Sequence, residues 1–230
     1  MNTAIILAAG KGTRMKAQLN KQYLLLKGKP IIIHTLEVFE RSPLIDEIIL
    51  VINKNDVELC KKNVLKKYRL RKVTKIINGG KERQASVLNG LSQINPKSQI
   101  VLIHDGARPL VTEEIIKSCI EGAKEYGAVS AGVPIKDTVK IIKEDGFVNF
   151  TPKRKDVWIT QTPQAFKTEI IKNAHRFAAT EDILGTDDAM LVEQMGVKVK
   201  MVVGDYENLK ITTPEDLITA EAILNYKRRW

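Results

Sequence analysis

The chain has 230 residues, of which 43% are hydrophobic and only 5% are aromatic, so residues 1–230 are expected to form a single α/β domain with an aliphatic core. Its formal net charge of +10 favours an anionic partner, while the few aromatic residues offer few stacking surfaces for nucleic-acid bases. Cys60 and Cys119 have no metal-binding spacing and the N-terminal apolar run is too short to span a membrane, so a cytoplasmic protein without a membrane partner is expected.

Apolar strand-like runs alternate with segments of helical periodicity through the first half of the chain. The predicted strands cover residues 3–7, 47–52, 73–77 and 99–104, and the predicted helices cover residues 30–40, 56–68, 83–91 and 112–126. Such alternation is typical of βαβ units. It predicts a Rossmann-like, mainly parallel sheet flanked by helices, with ligands bound at the carboxyl ends of the strands.

The pattern changes after residue 126. Strand-like segments at 128–133, 138–142 and 147–150, with a turn at 144–146, predict a β-hairpin arm over residues 134–155. Helices at 167–177, 187–195 and 214–225 and a strand at 197–203 complete the prediction. An arm of this length cannot bury both faces on its own domain, so docking on a second subunit is favoured over an exposed hairpin.

The most informative segment follows the first predicted strand. Small residues and cations are combined there in the run Ala8-Ala9-Gly10-Lys11-Gly12-Thr13-Arg14-Met15, and Lys21-Gln22 lies just beyond. Backbone N–H groups of such a loop can approach an anion closely, and Arg14 and Lys21 can neutralise phosphate oxygens. The spacing matches neither the dinucleotide G-x-G-x-x-G loop nor a Walker A loop. The segment predicts a nucleoside triphosphate site, with an ordinary strand–helix turn as the alternative.

Two more loops follow predicted strands. Gly79 and Gly80 would let the backbone touch a flat base, and Ser86 on the next helical turn can hydrogen-bond to it; a plain βα turn is the alternative. Asp105 ends a strand and can bind a ribose hydroxyl or a magnesium ion. Arg108 is expected to pair with Asp105 in a structural role.

The second half of the chain adds candidates for binding a phosphorylated substrate. Thr138 and Arg154 come from the arm, and Lys210 stands between apolar neighbours, which is an odd position for a purely structural lysine. The chain has no G-x-S-x-G nucleophile motif, and His104 is expected to pack in the core. Phosphate positioning by fixed cations is therefore favoured over covalent catalysis.

These motifs together resemble the 2-C-methyl-D-erythritol 4-phosphate cytidylyltransferase family of the non-mevalonate isoprenoid pathway, whose fold is a GT-A-like nucleotidyltransferase. The resemblance runs from Ala4 to about Leu224. It is carried by the ordered blocks Ala8-Ala9-Gly10 to Arg14-Met15, Lys21-Gln22, Gly79-Gly80 with Arg83 and Ser86-Val87, His104-Asp105 with Ala107-Arg108-Pro109, Thr162-Pro163-Gln164, Thr186-Asp187 and Lys210-Ile211-Thr212. It implies transfer of CMP from CTP to 2-C-methyl-D-erythritol 4-phosphate, giving 4-diphosphocytidyl-2-C-methyl-D-erythritol and pyrophosphate.

The resemblance also implies residue roles, Mg²⁺ as cofactor and a homodimer interlocked through the arm. Arg14 and Lys21 match positions that stabilise the transition state, and Thr138, Arg154 and Lys210 match positions that hold the sugar phosphate. The nucleotide would be bound by Ala8, Ala9, Gly10, Gly12, Gly79, Gly80, Ser86 and Asp105, and Asp105 is also a candidate for the acceptor and the metal. Lys81 departs from the acidic residue of many relatives. A related family that acts on ribitol 5-phosphate is the alternative, and a nucleic-acid-binding module is a distant one.

Overall fold

The computed structural model of the chain describes residues 1–10, 20–61 and 66–227. The described strands are β1 (Asn2–Ala8), β2 (Leu25–Leu26), β3 (Lys29–Pro30), β4 (Glu47–Ile52), β5 (Val73–Asn78), β6 (Ile100–Asp105), β7 (Ala128–Pro134), β8 (Ile141–Ile142), β9 (Val148–Phe150), β10 (Trp158–Lys167) and β11 (Lys200–Val203). The described helices are α1 (Ile31–Arg41), α2 (Val57–Cys60), α3 (Lys66–Tyr68), α4 (Arg83–Leu91), α5 (Glu113–Tyr126), α6 (Thr168–Thr180), α7 (Asp188–Gln194) and α8 (Pro214–Lys227).

A central sheet of seven strands has the order β11-β7-β10-β6-β1-β4-β5. Strand β1 is parallel to both β4 and β6, and Leu7 near its end pairs with Asp105 of β6 and Val51 of β4. The strands β4 and β6 are buried along their whole length, as expected for aliphatic runs covered on both faces. The predicted Rossmann-like α/β fold is confirmed.

Helices cover both faces of this sheet because each of them carries one apolar stripe. Leu36 of α1 and Ile116 of α5 belong to the core on one face. Val87 of α4, Ile171 of α6 and Leu191 of α7 belong to the core on the other face. Within the described ranges, we find no helix with the length and apolarity that crossing a bilayer requires.

Strand β10 was not predicted from the sequence. It lies antiparallel between β6 and β7, and its register shifts between Thr160 and Gln164. Its buried positions include Gln161, Thr162 and Gln164, so it has no apolar alternation to reveal it. The sheet is therefore mixed, and the arm connects directly into its middle through β10.

The predicted hairpin arm is confirmed as an antiparallel pair of β8 and β9. Its first strand is shorter than predicted, because only Ile141–Ile142 pairs with the return strand. The arm exposes large apolar side chains, with Ile142 63% and Phe147 74% accessible.

The predicted strand over 197–203 likewise starts only at Lys200. The predicted helix over 56–68 corresponds to α2 and α3, and residues 62–65 lie outside the described part.

Candidate active site

A pocket lies where β1 and β6 end and where the chain leaves β5. This is the edge at which a parallel sheet offers loops and helix N-termini to a ligand. Its described lining consists of Leu7, Ala8, Ala9, Gly10, Lys21, Gln22, Gly80, Lys81, Glu82, Arg83, Ser86, Asp105, Ala107 and Lys210. Among these residues, four cationic side chains face two carboxylates, so the described wall is suited to an anionic ligand.

Small residues are required where two loops meet at the floor of this pocket. A Cβ atom on Gly79 would overlap the Cβ of Ala9 and approach Ser86 Oγ to 3.0 Å. A Cβ on Gly80 would overlap the Cβ of Ala85. The loops after β1 and β5 therefore pack closely, with Gly79 against the methyl group of Ala9; Ala9 and Gly80 belong to the described pocket lining, and Gly79 does not. The predicted glycine positions thus have a steric basis.

Ser86 holds the loop after β5 in shape. Its hydroxyl donates to the Glu82 carbonyl at 3.1 Å and accepts the Gly80 N–H at 3.0 Å. The side chain is only 4% exposed, yet the residue contributes to the pocket wall. The structure therefore gives Ser86 a loop-ordering role beside the predicted base contact.

Asp105 is the carboxylate around which the site is organised. Lys210 Nζ lies 2.7 Å from Oδ2, and Arg83 Nε lies 3.6 Å from Oδ1. Burial by itself raises the pKa of Asp105, but the Lys210 ammonium and the Arg83 guanidinium outweigh it and hold that pKa well below its usual range. Asp105 is therefore ionised at neutral pH, and its ion pair holds Lys210 at the pocket wall.

The predicted pairing of Arg108 with Asp105 is wrong. Arg108 Nη1 instead donates to the Asn208 carbonyl at 2.7 Å, and Arg83 from the start of α4 makes the ion pair with Asp105. Burial lowers the pKa of Arg108 although Asp105 nearby opposes this effect. Arg83, which lines the pocket, has no role that is predictable from the sequence alone, because its partner Asp105 is distant in the chain.

His104 is packed in the core, as predicted. Its Nε2 lies 3.2 Å from the Arg108 carbonyl oxygen, and its Nδ1 lies 3.1 Å from Thr162 Oγ1. The carbonyl can only accept, so Nε2 carries the proton and Nδ1 accepts from Thr162. That hydroxyl in turn accepts the Asp105 N–H at 3.1 Å. The chain of bonds positions Asp105, and His104 itself is not among the residues of the described pocket lining.

We expect His104 to make folding stability depend on pH. Burial lowers its pKa from 6.5 to about 4 in the folded chain. Between these values the unfolded chain binds more protons, so stability falls as pH decreases from 6.5 to 4, by about 3 kcal/mol in total. Urea unfolding of the wild type and His104→Gln at several pH values checks this, and the variant should show a flatter dependence. An equal slope in both proteins would assign the titration to other groups.

Other predicted ligand residues lie before and after residues 11–19, which are outside the described part of the chain. Lys21 Nζ donates to the Ile211 carbonyl at 3.0 Å, and Gln22 Nε2 donates to the Ala8 carbonyl at 2.7 Å. Ala8, Ala9 and Gly10 line the pocket as predicted. The predicted residues Gly12 and Arg14 lie outside the described residues.

The two arm residues lie together, away from this pocket. Arg154 Nη2 and Thr138 Oγ1 are 3.4 Å apart, and both residues are exposed. Neither belongs to the described lining of the pocket. Within one chain, the structure therefore does not bring Thr138 and Arg154 to Lys21, Asp105 and Lys210.

In the parts of the chain that the structure describes, no cluster of three or more His, Cys, Asp or Glu side chains could hold a metal ion by itself. Asp105 and Glu82 are the carboxylates in the described lining. A magnesium ion in proteins commonly has one or two carboxylate ligands and takes the rest from substrate phosphates and water. The ionised Asp105 therefore suits Mg²⁺ that arrives with a nucleotide, but not a metal held by the protein alone.

Comparison with known proteins agrees with this geometry. Residues 2–226 match the family described as 2-C-methyl-D-erythritol 4-phosphate cytidylyltransferase. A protein of that name from Caldanaerobacter subterraneus subsp. tengcongensis is 52% identical over 222 residues, which are 96% of this chain and 98% of the relative. One from Clostridium novyi is 51% identical over 223 residues, which are 97% of this chain and 96% of the relative.

Solved structures show the same likeness. The crystal structure of 4-diphosphocytidyl-2C-methyl-D-erythritol synthase from Anaerococcus prevotii is 39% identical, covers 97% of this chain and 96% of that chain, and superposes with a TM-score of 0.88. The enzyme from Thermus thermophilus is 28% identical, covers 97% and 98% of the two chains, and gives a TM-score of 0.78. With the pocket, the fold and the sequence in agreement, the chain belongs to the 2-C-methyl-D-erythritol 4-phosphate cytidylyltransferase family and is an enzyme of the nucleotidyltransferase class.

Proposed function

We propose that the chain transfers CMP from CTP to 2-C-methyl-D-erythritol 4-phosphate, releasing pyrophosphate and 4-diphosphocytidyl-2-C-methyl-D-erythritol. The observation that carries this proposal is a cationic pocket with a floor of glycine and alanine at the carboxyl ends of parallel strands. The cations suit the triphosphate, and the exposed peptide groups suit a flat base. The names of the relatives supply the identity of the two substrates.

The reaction we propose requires no general base. An oxygen of the acceptor phosphate attacks the α-phosphorus of CTP, a new P–O bond forms, and the bond to the leaving pyrophosphate breaks. A phosphate monoester has its second pKa near about 6, so the attacking oxygen already lacks a proton at neutral pH. This agrees with His104 being neutral, buried and bonded on both ring nitrogens.

The chain's contribution is then positive charge held in place. Lys21 is fixed by the Ile211 carbonyl and Lys210 by Asp105, so both ammonium groups are oriented before substrate arrives. Preorganised cations stabilise the charge that develops on the phosphoryl oxygens in the transition state. We assign Lys21, with Arg14, to that role, and Lys210 to the acceptor phosphate.

We further propose Mg²⁺ as cofactor, bound by Asp105 together with phosphate oxygens of the nucleotide. When bound, Mg²⁺ would neutralise charge on the triphosphate. Asp105 would hold it because both Lys210 and Arg83 keep its carboxylate ionised.

Replacing Asp105 by asparagine tests the metal assignment. The variant keeps the shape of the side chain but loses its charge, so we expect the Mg²⁺ concentration for half-maximal turnover to rise about tenfold or more. Calorimetric titration of CTP with and without Mg²⁺ checks the same point without turnover. If Mg²⁺ strengthened CTP binding equally in wild type and variant, Asp105 would not be a metal ligand.

We also propose that the enzyme is a cytoplasmic homodimer in which the arm of one subunit completes the site of the other. Support comes from the absence of Thr138 and Arg154 from the described pocket lining, and from the apolar surface that the arm exposes. Ile142, Phe147, Val148 and Phe150 are each more than half accessible in the single chain. Covering such a patch is a common reason for a symmetric contact.

The experiment that tests the function measures pyrophosphate release from CTP with two acceptors side by side. Turnover with 2-C-methyl-D-erythritol 4-phosphate well above that with ribitol 5-phosphate is expected. The reverse preference would assign the chain to the ribitol phosphate reaction. No turnover with either acceptor, together with salt-sensitive binding of DNA, would support a nucleic-acid-binding module instead.

A further inference from the structure

A carboxylate buried behind the pocket wall is not explained by the reaction itself. Asp188 begins α7, its side chain is 1% exposed, and it does not belong to the described pocket lining. Its Oδ2 accepts from Arg83 Nη1 at 2.6 Å, and its Oδ1 lies 3.3 Å from His175 Nε2. A carboxylate buried this deeply is costly unless it is paired. The pair with Arg83 is therefore the principal interaction of Asp188 on the side of the pocket.

Asp188 is held rigidly by the central sheet. Gln164 of β10 is fully buried, and its Oε1 accepts the N–H groups of Asp188 and Ala189 at 3.1 and 3.3 Å. The Nε2 of the same side chain donates to Asp187 Oδ2 at 2.8 Å. The start of α7 is thus bonded to β10 through one amide, and the carboxylate of Asp188 has little freedom to move.

Arg83 connects Asp188 to the pocket. It lines the pocket and directs Nη1 to Asp188 and Nε to Asp105. Its third nitrogen, Nη2, is buried and has no hydrogen-bond partner within the described part of the protein. A guanidinium has five N–H donors in a rigid plane, so fixing two nitrogens fixes the direction of the third. Nη2 is enclosed in the described structure, so a ligand would reach the guanidinium from the partly exposed side of Arg83 that lines the pocket.

Charges alternate along this line of side chains. Asp188 contacts Arg83, Arg83 contacts Asp105, and Asp105 contacts Lys210. The structure shows two ion-pair partners of Arg83, Asp188 and Asp105. If Asp188 lost its charge, Asp105 would be the one that remains. Arg83 would then be drawn toward Asp105, where it would compete with Lys210.

We propose that Asp188 is a positioning residue that acts through Arg83, aiming a guanidinium donor at the nucleotide and keeping Arg83 from displacing Lys210 from Asp105. This inference rests on the nucleotide site proposed above. It assigns a functional reason to a buried carboxylate that lies outside the described pocket lining.

A double-mutant cycle tests the proposal. Asp188→Asn keeps the shape and one acceptor but loses the charge, and Arg83→Gln removes the guanidinium. We expect Asp188→Asn to raise KM for CTP about tenfold and to raise KM for the acceptor as well, because Arg83 would compete with Lys210 for Asp105. The double variant should have the same KM for CTP as Arg83→Gln alone, because Asp188 has nothing left to position.

His175→Gln is the matched control, since it alters the other contact of Asp188 and leaves the pair with Arg83. It should lower the unfolding temperature and leave KM for CTP within about twofold of wild type. If the effects of Asp188→Asn and Arg83→Gln on KM multiplied in the double variant, Asp188 would act independently of Arg83 and the proposal would be overturned.

A second variant keeps the test decisive if Asp188→Asn does not fold. Arg83→Lys retains a positive charge between the two carboxylates but loses the fixed plane of donors. We expect it to raise KM for CTP about tenfold with an unfolding temperature near that of wild type, and an unchanged KM would overturn the proposal. A wild-type protein without CTP-dependent turnover would overturn the proposed function instead, so the two failures are distinguishable.

Discussion

Lys21→Ala is expected to lower kcat by about 100-fold or more, the effect of removing one preorganised charge from a transition state. Lys21 lies in the pocket lining and its ammonium is oriented by the Ile211 carbonyl at 3.0 Å. The bond that positions it is made by the backbone, and the N–H of Ile211 in turn donates to the carbonyl of Ala107 in the loop after β6. Alanine would leave the backbone bond of Ile211 to Ala107 in place and remove the ammonium group together with the side chain beyond Cβ.

Initial rates of pyrophosphate release at saturating concentrations of both substrates measure this effect. Lys97→Ala is the control, since that lysine is exposed in the turn between α4 and β6 and loses an equal charge away from the pocket. Its kcat should equal that of wild type. Near-normal turnover in Lys21→Ala would remove Lys21 from the mechanism.

Mixing two inactive variants is expected to restore activity. Arg154→Ala lacks the guanidinium that meets Thr138 at the base of the arm, and Lys21→Ala lacks the pocket cation. In a homodimer whose arm completes the partner's site, a mixed dimer contains one site with both residues intact. Equal mixing with full subunit exchange should therefore give about one quarter of wild-type activity.

Subunit exchange is verified by differently tagged chains, and each variant mixed with itself is the control. No recovery in a mixture that exchanges subunits would place Lys21 and Arg154 in the same chain's site. A monomeric wild type in sedimentation experiments would equally contradict the shared-site arrangement.

The sequence was sufficient to predict the parallel half of the fold. Strands β1, β4 and β6 are aliphatic runs flanked by helices with clear apolar stripes, and burial on both faces requires such runs. Strand β10 could not be predicted in the same way. Three of its buried side chains, Gln161, Thr162 and Gln164, are polar, and they are tolerated because each of them finds partners that lie far away in the chain.

In the site, too, the partners of side chains that are distant in the sequence could not be predicted. Residues in loops directly after strands, such as Gly79 and Asp105, were identified because their position follows from the alternation of strands and helices. The choice between Arg83 and Arg108 as the partner of Asp105 depends on side-chain direction across the sheet. Proximity in sequence favoured Arg108, but its guanidinium is committed to the Asn208 carbonyl. No motif around Asp188 indicates a role for it, because its partners Arg83 and His175 are at distant positions in the sequence.

Gln164 has a consequence for how strand β10 tolerates substitution. Its amide donates to Ser130 and Asp187 and accepts two backbone N–H groups, which is its full hydrogen-bonding capacity. A leucine here would leave buried polar groups unpaired at about 1–3 kcal/mol each, and a glutamate would set a carboxylate against Asp187. Aliphatic exchanges in β1 or β4 that conserve volume cost about 1.5 kcal/mol or less. Strands of one sheet thus accept substitutions by different criteria, which are side-chain volume in β1 and β4 and the number of hydrogen bonds a side chain can make in β10.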